Sequence, residues 1–452
     1  MLFRRLVNIC YRKLRCVVTV VLILMVAACY VYWDNWLTYY RIRTFLPGVK
    51  WSWYPPNTVT SSKVENIHLY HSNDIHEKRK QQLTSACKTV NDPLSYMKGG
   101  TGLNVKRNFL LDQNHHVFFC RIEKIGSKFI VKFLQKLEEV TMPETIKKEK
   151  SIAVKELIKS KQLSLISELP NISFTDLHRA IMKSFKFLFV REPYGRLVSG
   201  YVDKFLMPNS LFWTTLGKLA SKILHNTDVK CGHNLSFPDF IRFVVHTEHT
   251  GEHTNRHFTS MCEHCRPCDI SYDLIGKMET FRDDFSVLLN AWNKIYNTNV
   301  TFDDFESETA YERAMFYSKR LFGMKSRIEK CVSFYEGMER TWIGLQTQGI
   351  VPKYARFPFT ESDAPGMSLK RFQESIGIAI KTVTDKSAVK YQKTEAVIEA
   401  YSLVSIDDLN NIRELVRQDC QLFGYDDSPG HIFTNRTKGR KNNVQYFKMF
   451  KT

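Results

Sequence analysis

The chain has 452 residues, and its 65 Lys and Arg against 46 Asp and Glu give a formal net charge of +19 at pH 7. Hydrophobic residues make up 43% and charged residues 25%, proportions that are ordinary for a globular protein. The charge indicates nucleic acid, an anionic membrane or an acidic polysaccharide as partner, and the sequence has no RNP, zinc-finger or helix-turn-helix pattern.

The N-terminal segment has the pattern of a membrane anchor. Five basic residues stand within residues 1–15: Arg4, Arg5, Arg12, Lys13 and Arg15. Residues 16–33 follow without a charge and are just long enough for a helix to span a bilayer. Aromatic residues typical of a membrane interface come next: Trp33, Trp36, Tyr39 and Tyr40. We therefore predict a cytoplasmic tail (1–15), an uncleaved signal anchor (16–33) and a luminal remainder; a signal peptide cleaved near residues 27–29 is the alternative.

A luminal location agrees with the cysteines and with the glycosylation sequons. Eight cysteines follow the predicted anchor: Cys87, Cys120, Cys231, Cys262, Cys265, Cys268, Cys331 and Cys420. An even number permits disulfides in an oxidising compartment, although their connectivity cannot be derived from the sequence. Four sequons predict glycosylation at Asn171, Asn234, Asn299 and Asn435. In such a compartment we expect no nucleic-acid partner.

The cysteine-rich segment allows one alternative, a zinc site. Cys262, Cys265 and Cys268 have C-x-x-C spacing, and His257 and His264 lie close by in the sequence. A second ligand pair at defined spacing is not apparent, so we prefer disulfides and predict no metal.

Three luminal regions are expected. Residues 34–105 carry Pro47, Pro55, Pro56 and Pro93 with little helical periodicity, which indicates a stem. Residues 106–430 alternate buried strands with helical stretches, which predicts an α/β domain around a parallel sheet. Residues 431–452 are rich in Lys and Arg and form a predicted basic tail.

A strand–turn–helix pattern begins at Val117. Val117–Cys120 is a short apolar run typical of a buried strand, and Phe129–Leu134 supplies the apolar face of a helix. The turn Lys124–Lys128 contains a glycine, Gly126, that lets the backbone approach a phosphate, together with two lysines and a serine. The turn therefore suits a phosphate, although it lacks the Walker sequence G-x-x-x-x-G-K-[ST].

A second unit of the same kind lies about 70 residues further on. Phe187–Val190 predicts a buried strand, Arg191–Pro193 a polar turn, and the residues from Gly195 a helix. The N–H groups at the start of such a helix and the Arg191 guanidinium would form an anion site, and Ser199 could face the same phosphate. A buried strand followed by solvated arginines is the alternative. Together the two units predict one nucleotide bound at two phosphate groups.

Four motifs, in the expected order, carry a family resemblance. Cys120–Ser127 is similar to a 5′-phosphosulfate loop, C-x-x-P-K-x-[GA]-[SC]-T, and Arg191–Ser199 matches a 3′-phosphate loop, R-E-P-x-x-R-L-V-S, nearly letter for letter. Cys265–Thr280 resembles C-x-P-C-x-I-x-Y-D-x-I-G-K-x-E-T, and Asp419–Tyr425 resembles D-x-x-L-F-G-Y. On these motifs the chain resembles the Golgi carbohydrate sulfotransferases of the chondroitin, dermatan, N-acetylgalactosamine 4-O and HNK-1 group.

The resemblance implies a P-loop-like three-layer α/β fold with a central parallel sheet, and 3′-phosphoadenylyl sulfate (PAPS) as sulfonate donor without a metal. The residues implied for the 5′ side of the donor are Glu123, Lys124, Ile125, Gly126, Ser127, Lys128 and Phe129. Those implied for the 3′-phosphate are Arg191, Glu192, Pro193, Tyr194, Gly195, Arg196, Leu197, Val198 and Ser199. The implied acceptor is a glycan or proteoglycan hydroxyl, with N-acetylgalactosamine of chondroitin/dermatan-type or N-glycan chains expected. The implied location is the Golgi membrane, in single-pass type II orientation with the catalytic domain luminal.

Two residues are expected to be catalytic. Lys124 would stabilise the bridging oxygen of the leaving nucleotide phosphate, because sulfonate transfer resembles phosphoryl transfer in its demand for positive charge. His257 stands where the family has an H-W pair and is the first candidate for the general base. His253, His178 and Glu279 are the alternatives.

The chain departs from the family pattern at several points. Glu123 stands in place of Pro, Lys128 in place of Thr, and Val202 in place of Arg. A carboxylate beside a phosphate site opposes binding unless a cation such as Lys124 or Arg121 neutralises it. The region 301–363 is also longer than usual, and we expect it to border the acceptor. These departures leave open a catalytically inactive, membrane-anchored glycan-binding relative; a luminal kinase would need magnesium ligands and motifs that the sequence lacks.

Overall fold

The computed structural model describes residues 74–89, 108–112, 115–141, 163–165, 174–301, 305–434 and 446–447. The predicted cytoplasmic tail and signal anchor lie outside the described residues, as do Asn171, Asn435 and most of the predicted stem and basic tail. Within the described ranges, no helix is both long and apolar enough to cross a membrane.

A five-stranded sheet forms the centre of the described part, in the order β3-β1-β2-β4-β5. Its strands are β1 (Phe109–Asp112), β2 (Val117–Cys120), β3 (Leu163–Leu165), β4 (Phe185–Val190) and β5 (Leu274–Lys277). β2, β4 and β5 are parallel, whereas β1 is antiparallel to both β2 and β3. The α/β prediction is confirmed, but the sheet is mixed, because residues 113–116 are too few to make the crossover that a parallel β1–β2 pair would need.

Fifteen helices are named below in chain order among the described residues. They are α1 (Asp74–Thr89), α2 (Ser127–Thr141), α3 (Phe174–Lys183), α4 (Pro193–Tyr201), α5 (Lys218–His225), α6 (Phe237–Thr250), α7 (Met261–Cys265), α8 (Phe281–Tyr296), α9 (Phe305–Gly323), α10 (Lys325–Ile328), α11 (Phe334–Thr347), α12 (Leu369–Lys381), α13 (Lys386–Ser402), α14 (Ile406–Phe423) and α15 (Gly430–Phe433). Short turns complete the set: π-helical Val202–Leu206 and Trp213–Gly217, α-helical Ser210–Phe212, and 3₁₀ Met278–Thr280 and Glu361–Asp363.

Aromatic side chains cover one face of the sheet. Phe119 on β2 stacks on Phe187 of β4 with ring centroids 4.9 Å apart. Trp292 of α8 stacks on Phe133 of α2 at 4.9 Å and meets Phe187 edge-on at 5.9 Å. α2 and α8 therefore form the helical layer on this face.

The other face carries a disulfide. Because neighbouring strand residues point to opposite faces, Cys120 lies on the side away from Phe119. It forms a disulfide with Cys265 at the end of α7. Helix α7 thus lies on the face opposite α2 and α8, and the three-layer arrangement stays a prediction.

Helix α1 covers the β5 edge of the sheet. Arg79 Nη1 donates to the Ile275 carbonyl at 3.0 Å and to Asp284 Oδ2 at 2.7 Å, and Cys87 is bonded to Cys268. An edge strand exposes unpaired backbone groups, and α1 satisfies one of them. Residues 74–89, which fall within the predicted stem, therefore pack on the sheet; the predicted stem boundaries stay a prediction.

Helices that follow β4 in the chain form a second hydrophobic core. Its large side chains include Tyr201, Phe205, Trp213 and Phe240, all fully buried. A third disulfide joins Cys231 to Cys331. Six of the eight cysteines after the predicted anchor are thus paired, whereas Cys262 and Cys420 are buried thiols.

Candidate active site

The two predicted phosphate loops, the first at Glu123–Phe129 and the second at Arg191–Ser199, lie side by side. They follow β2 and β4, which are neighbouring parallel strands, so both loops leave the same edge of the sheet. Arg191 Nη1 donates to the Lys124 carbonyl at 3.2 Å, which joins the loops directly. The structure therefore brings together the two segments that the sequence places about 70 residues apart.

The first loop has a left-handed backbone at two positions. Lys124 has φ of 70° and Gly126 has φ of 75°. A Cβ on Gly126 would also lie 3.2 Å from Met278 Cε, so the position favours glycine on both counts. Ser127, which is buried, begins α2 directly after this glycine.

We predict that Gly126→Ala lowers the free energy of unfolding by about 1 kcal/mol, from the left-handed backbone alone. It should also weaken binding of adenosine 3′,5′-bisphosphate about tenfold, because the loop must shift away from Met278. Gly251→Ala is the matched control, since Gly251 has φ of 72° with no atom within 4 Å of its added Cβ. Thermal unfolding and calorimetric titration measure both effects; equal nucleotide binding by the two variants would remove Gly126 from the site.

Two other predicted members of this loop are core residues. Ile125 is fully buried, and Phe129 packs edge-on against Phe281 and Phe285 at 5.8 and 5.0 Å. Both anchor the loop rather than offer a polar group to a donor.

The second loop differs from the expectation at its helix N-terminus. The Glu192 carboxylate accepts hydrogen bonds from the backbone N–H groups of Tyr194 (2.9 Å) and Gly195 (2.6 Å). Burial raises the pKa of Glu192, while these two hydrogen bonds lower it. The prediction that the first N–H groups of α4 bind a phosphate is therefore wrong for these two groups, because Glu192 already caps them.

Most of α4 is buried. Pro193, Tyr194, Leu197 and Val198 belong to the interior, and Gly195 packs against the side chains of Glu192 and Arg191. Arg191 and Ser199 are only partly buried. In the described part of the chain, the Ser199 hydroxyl has no hydrogen-bond partner, and the assignment of Arg191 and Ser199 to a phosphate stays a prediction.

Arg196 has a structural role. It is 3% exposed and donates to three backbone carbonyls: Glu123 at 3.1 Å, Thr259 at 2.7 Å and Arg256 at 3.4 Å. Burial lowers its pKa to about 10. Arg196 thus ties the first loop to the segment that carries His257, and its donors are directed at the protein rather than at a phosphate.

Asp203 gathers three cations around one carboxylate. Its Oδ2 accepts from Lys124 Nζ at 3.0 Å and lies 3.2 Å from Lys204 Nζ, and its Oδ1 accepts from Arg320 Nη1 at 2.7 Å. Burial alone would raise the pKa of Asp203, but the three cations outweigh it and hold that pKa well below its ordinary value. We call Asp203, Lys124, Lys204 and Arg320 the Asp203 cluster.

The departures at Glu123 and Lys128 have partners in the structure. Arg256 Nη2 lies 3.1 Å from Glu123 Oε1, so the neutralising cation is Arg256 and not the expected Lys124 or Arg121. The Lys128 ammonium lies 3.5 Å from the centroid of the Phe316 ring on α9, a cation–π contact. Burial, followed by the charges of Lys124 and Arg320, lowers the pKa of Lys128 even though Asp203 raises it.

Helix α9 begins in the region that was expected to border the acceptor. Its residues Phe316 and Arg320 contact Lys128 and Asp203, respectively, and the expectation that the region borders the acceptor stays a prediction. At least this part of the region 301–363 therefore lies beside the first loop.

His257 is held in one orientation. Its Nδ1 lies 2.7 Å from Asn255 Oδ1, so an N–H at Nδ1 donates to this amide oxygen and leaves the lone pair of Nε2 free to accept a proton. Burial, and next the charge of Lys204, lowers the pKa of His257 to about 3. A Cβ on Gly200 would lie 2.9 Å from Phe258, which shows how closely α4 packs on this segment.

The three alternative bases are less suited. His253 and His178 are exposed. Glu279 is occupied, since its Oε1 accepts from the Glu192 N–H and its Oε2 accepts from the Tyr425 hydroxyl, both at 2.9 Å.

The last two motifs brace the loops. The Tyr425 hydroxyl donates to the Glu279 carboxylate, which also accepts from the Glu192 N–H in the turn after β4. Asp419 accepts from the N–H groups of Met261 (2.7 Å) and Cys262 (2.9 Å) and so caps α7, whose Cys265 is bonded to the end of β2.

Three important residues were not predicted from the sequence: Asp203, Arg256 and Arg320. Asp203 could have been found, because it directly precedes a lysine in the helix that follows the second loop. Arg320 is separated by 117 residues from Asp203, and Arg256 is likewise distant in the chain from Glu123. Nothing in the sequence around either arginine marks it as a partner of these carboxylates.

Two predicted glycosylation sites, Asn234 and Asn299, are exposed. Among the described residues, no group of three or more His, Cys, Asp or Glu side chains is arranged to hold a metal ion.

Comparison with known proteins finds a family model and relatives that match this chain. A family model described as "Sulfotransferase family" matches residues 107–340, just over half of the chain. Carbohydrate sulfotransferase 11 of Rattus norvegicus is 29% identical over 233 residues, covering 49% of this chain and 63% of that protein. Carbohydrate sulfotransferase 10 of Danio rerio is 28% identical over 283 residues (55% and 70%), and carbohydrate sulfotransferase 8 of Homo sapiens is 28% identical over 247 residues (52% and 54%).

The match to the rat protein thus covers less than two thirds of that relative's length. No solved structure matches the chain significantly. The family match includes both phosphate loops, the Asp203 cluster and the cysteine block. The chain therefore belongs to the sulfotransferase family.

Proposed function

We propose that this chain is an enzyme that transfers a sulfonate group from PAPS to a glycan hydroxyl. The observation that carries the proposal is the Arg191–Lys124 hydrogen bond, which joins two cationic loops at one edge of the sheet. Membership of the sulfotransferase family and the names of the relatives, which are carbohydrate sulfotransferases, support it.

The residues present fit the two phosphate ends of the donor. Arg191 and Ser199 would hold the 3′-phosphate, since both are partly accessible and one is a guanidinium. On the 5′ side, Ser127, Lys128 and the backbone at Gly126 would hold the phosphosulfate. Glu192 and Arg196 would shape the site through the contacts described above.

Lys124 and His257 would carry the chemistry. When bound, the donor supplies an activated sulfonate whose leaving group is a nucleotide phosphate. Lys124 would stabilise the negative charge that develops on the bridging oxygen, and Lys204 and Arg320 add positive charge of the kind that magnesium supplies in kinases. His257 Nε2 would accept the proton of the attacking sugar hydroxyl.

We further propose N-acetylgalactosamine of chondroitin/dermatan-type or N-glycan chains as acceptor, and a Golgi membrane location with the described part luminal. Three disulfides suit an oxidising compartment, and the exposed Asn234 and Asn299 suit glycosylation there. The uncharged run 16–33 supports a membrane anchor.

The inactive relative is the weaker alternative. It was suggested by Glu123 and Lys128, and both side chains have partners that leave the cationic loops in place. We therefore favour the enzyme.

A transfer assay separates these functions. The purified luminal chain is incubated with ³⁵S-labelled PAPS and a panel of desulfated glycans, and the sulfated carbon is then located by mass spectrometry and NMR. We expect label on an N-acetylgalactosamine hydroxyl. Tight binding of adenosine 3′,5′-bisphosphate without transfer to any acceptor would identify the inactive relative instead.

A further inference from the structure

We propose that Asp203 is a positioning residue, which fixes the side chain of Lys124 in the first loop and gathers the cations of the Asp203 cluster where negative charge develops on the leaving phosphate. The inference rests on the proposed function. It adds a residue whose part in transfer would be to place the catalytic lysine rather than to touch the donor.

The geometry supports a holding role. The cluster is assembled from three separate elements: the loop after β2 gives Lys124, the π-helical turn after α4 gives Asp203 and Lys204, and α9 gives Arg320. A lysine ammonium stands on a flexible four-carbon stem and is otherwise free to swing away from a loop. The carboxylate fixes the end of this stem at 3.0 Å.

The carboxylate is itself fixed. Arg320 donates through Nη1 to Asp203 Oδ1 and through Nη2 to the Asp203 backbone carbonyl at 3.0 Å. The Arg320 guanidinium therefore fixes the position of both the Asp203 side chain and its backbone carbonyl. Because cations occupy both carboxylate oxygens, Asp203 is not suited to be the base.

The charges of the cluster do not cancel. Three cations and one carboxylate leave a formal surplus of +2, and the side chains involved are only 10–13% exposed. A surplus of this kind in a poorly solvated place attracts a polyanion. Without the carboxylate, three like charges would repel one another, and one lysine would lose its proton more easily.

Two variants and one control test the proposal. Asp203→Asn removes the charge that gathers the cations, and Arg320→Gln removes the group that fixes Asp203. Glu312→Gln is the control, because Glu312 also joins α9 to α2, through Lys132, but the pair is exposed and lies outside the cluster.

For Asp203→Asn we expect kcat to fall at least about tenfold, while the Kd of adenosine 3′,5′-bisphosphate at pH 6 stays within about threefold of the parent. We also expect the alkaline limb of kcat to move to lower pH than in the parent, because the lysines of the cluster lose their protons more easily without the carboxylate. The groups that face Asp203 and enter this titration are Lys124, Lys204, Arg320, Lys128 and His257. Arg320→Gln should lower kcat about threefold to tenfold, and Glu312→Gln should change it less than twofold.

An unchanged kcat and pH profile in folded Asp203→Asn would overturn the proposal, as would equal losses in Arg320→Gln and Glu312→Gln. If Asp203→Asn shows no cooperative melting transition, Arg320→Gln against Glu312→Gln decides the question. The proposed function is tested separately by wild-type transfer. If the wild type transfers sulfonate and Asp203→Asn leaves kcat and its pH profile unchanged, only this inference is refuted.

Discussion

Lys124→Ala is expected to lower the rate of sulfonate transfer by about 10³-fold. Removal of one positioned donor from a developing oxyanion costs about 10²–10³ in rate, and an arginine finger in phosphoryl transfer contributes about 10³–10⁵. Lys124 is placed for such a role, since it stands in the loop after β2 and its carbonyl is bonded to Arg191 of the second loop. The measurement is single-turnover transfer of ³⁵S-labelled sulfonate.

The fold should survive this change, because Lys204 and Arg320 still neutralise Asp203 in the variant. Lys132→Ala is the control, since Lys132 lies on α2 but pairs with the exposed Glu312. It should leave the rate within about twofold. Substantial transfer by Lys124→Ala would show that another cation stabilises the leaving group.

His257→Ala is expected to lower kcat by about 10²–10⁴-fold, the range of general acid–base catalysis. Binding of adenosine 3′,5′-bisphosphate should change little, because His257 faces the acceptor proton and not a phosphate in the proposed arrangement. His253→Asn is the control: His253 is exposed and has φ of 58°, a backbone region that Asn tolerates. Equal losses in the two variants would argue against His257 as the base.

The pH profile follows from the low pKa of His257. A base must be deprotonated, and with a pKa of about 3 His257 is neutral throughout the range above about pH 4. We therefore expect kcat/KM for the donor, which reports the free enzyme, to show no acid limb near pH 6.5. Bound donor adds negative charge and raises this pKa, so an acid limb in kcat/KM for the acceptor should lie at higher pH. An acid limb near pH 6.5 in kcat/KM for the donor would contradict the buried, neutral His257.

The same pKa has a consequence for stability. The unfolded chain binds a proton at His257 near the ordinary pKa of 6.5, whereas the folded chain does not bind it until about pH 3. The unfolded state therefore holds more protons between these values, and this contribution to stability is lost as pH falls below 6.5.

Strong local patterns predicted much of the site. Val117–Cys120 and Phe187–Val190 are apolar runs of strand length, and each is followed by a polar turn and a helix, so both the strands and their loops could be located. Because parallel strands end at one edge, their loops could also be expected to meet. The structure confirms that contact at Lys124 and Arg191.

Other features depend on contacts that no local pattern contains. From the sequence, Glu192 is predicted to belong to a phosphate loop. Its carboxylate instead caps α4 and accepts hydrogen bonds from N–H groups that were expected to bind the ligand. Arg256 and Arg320 reach Glu123 and Asp203 from distant segments. The antiparallel β1 depends on the short connection to β2, which is visible only once both strand boundaries are known.

The central claim is that two loops hold two phosphates of one nucleotide, and calorimetric titration tests it most directly. Adenosine 3′,5′-bisphosphate and adenosine 5′-phosphate are titrated into the parent chain and into Arg191→Gln. We predict that the parent binds the bisphosphate about 10- to 100-fold more tightly than adenosine 5′-phosphate, because a hydrogen bond to a charged group is worth that factor in affinity. Arg191→Gln should lose most of this preference and keep the affinity of the parent for adenosine 5′-phosphate. A parent that binds both nucleotides equally, or a variant that loses both affinities in parallel, would contradict the assignment of Arg191 to the 3′-phosphate.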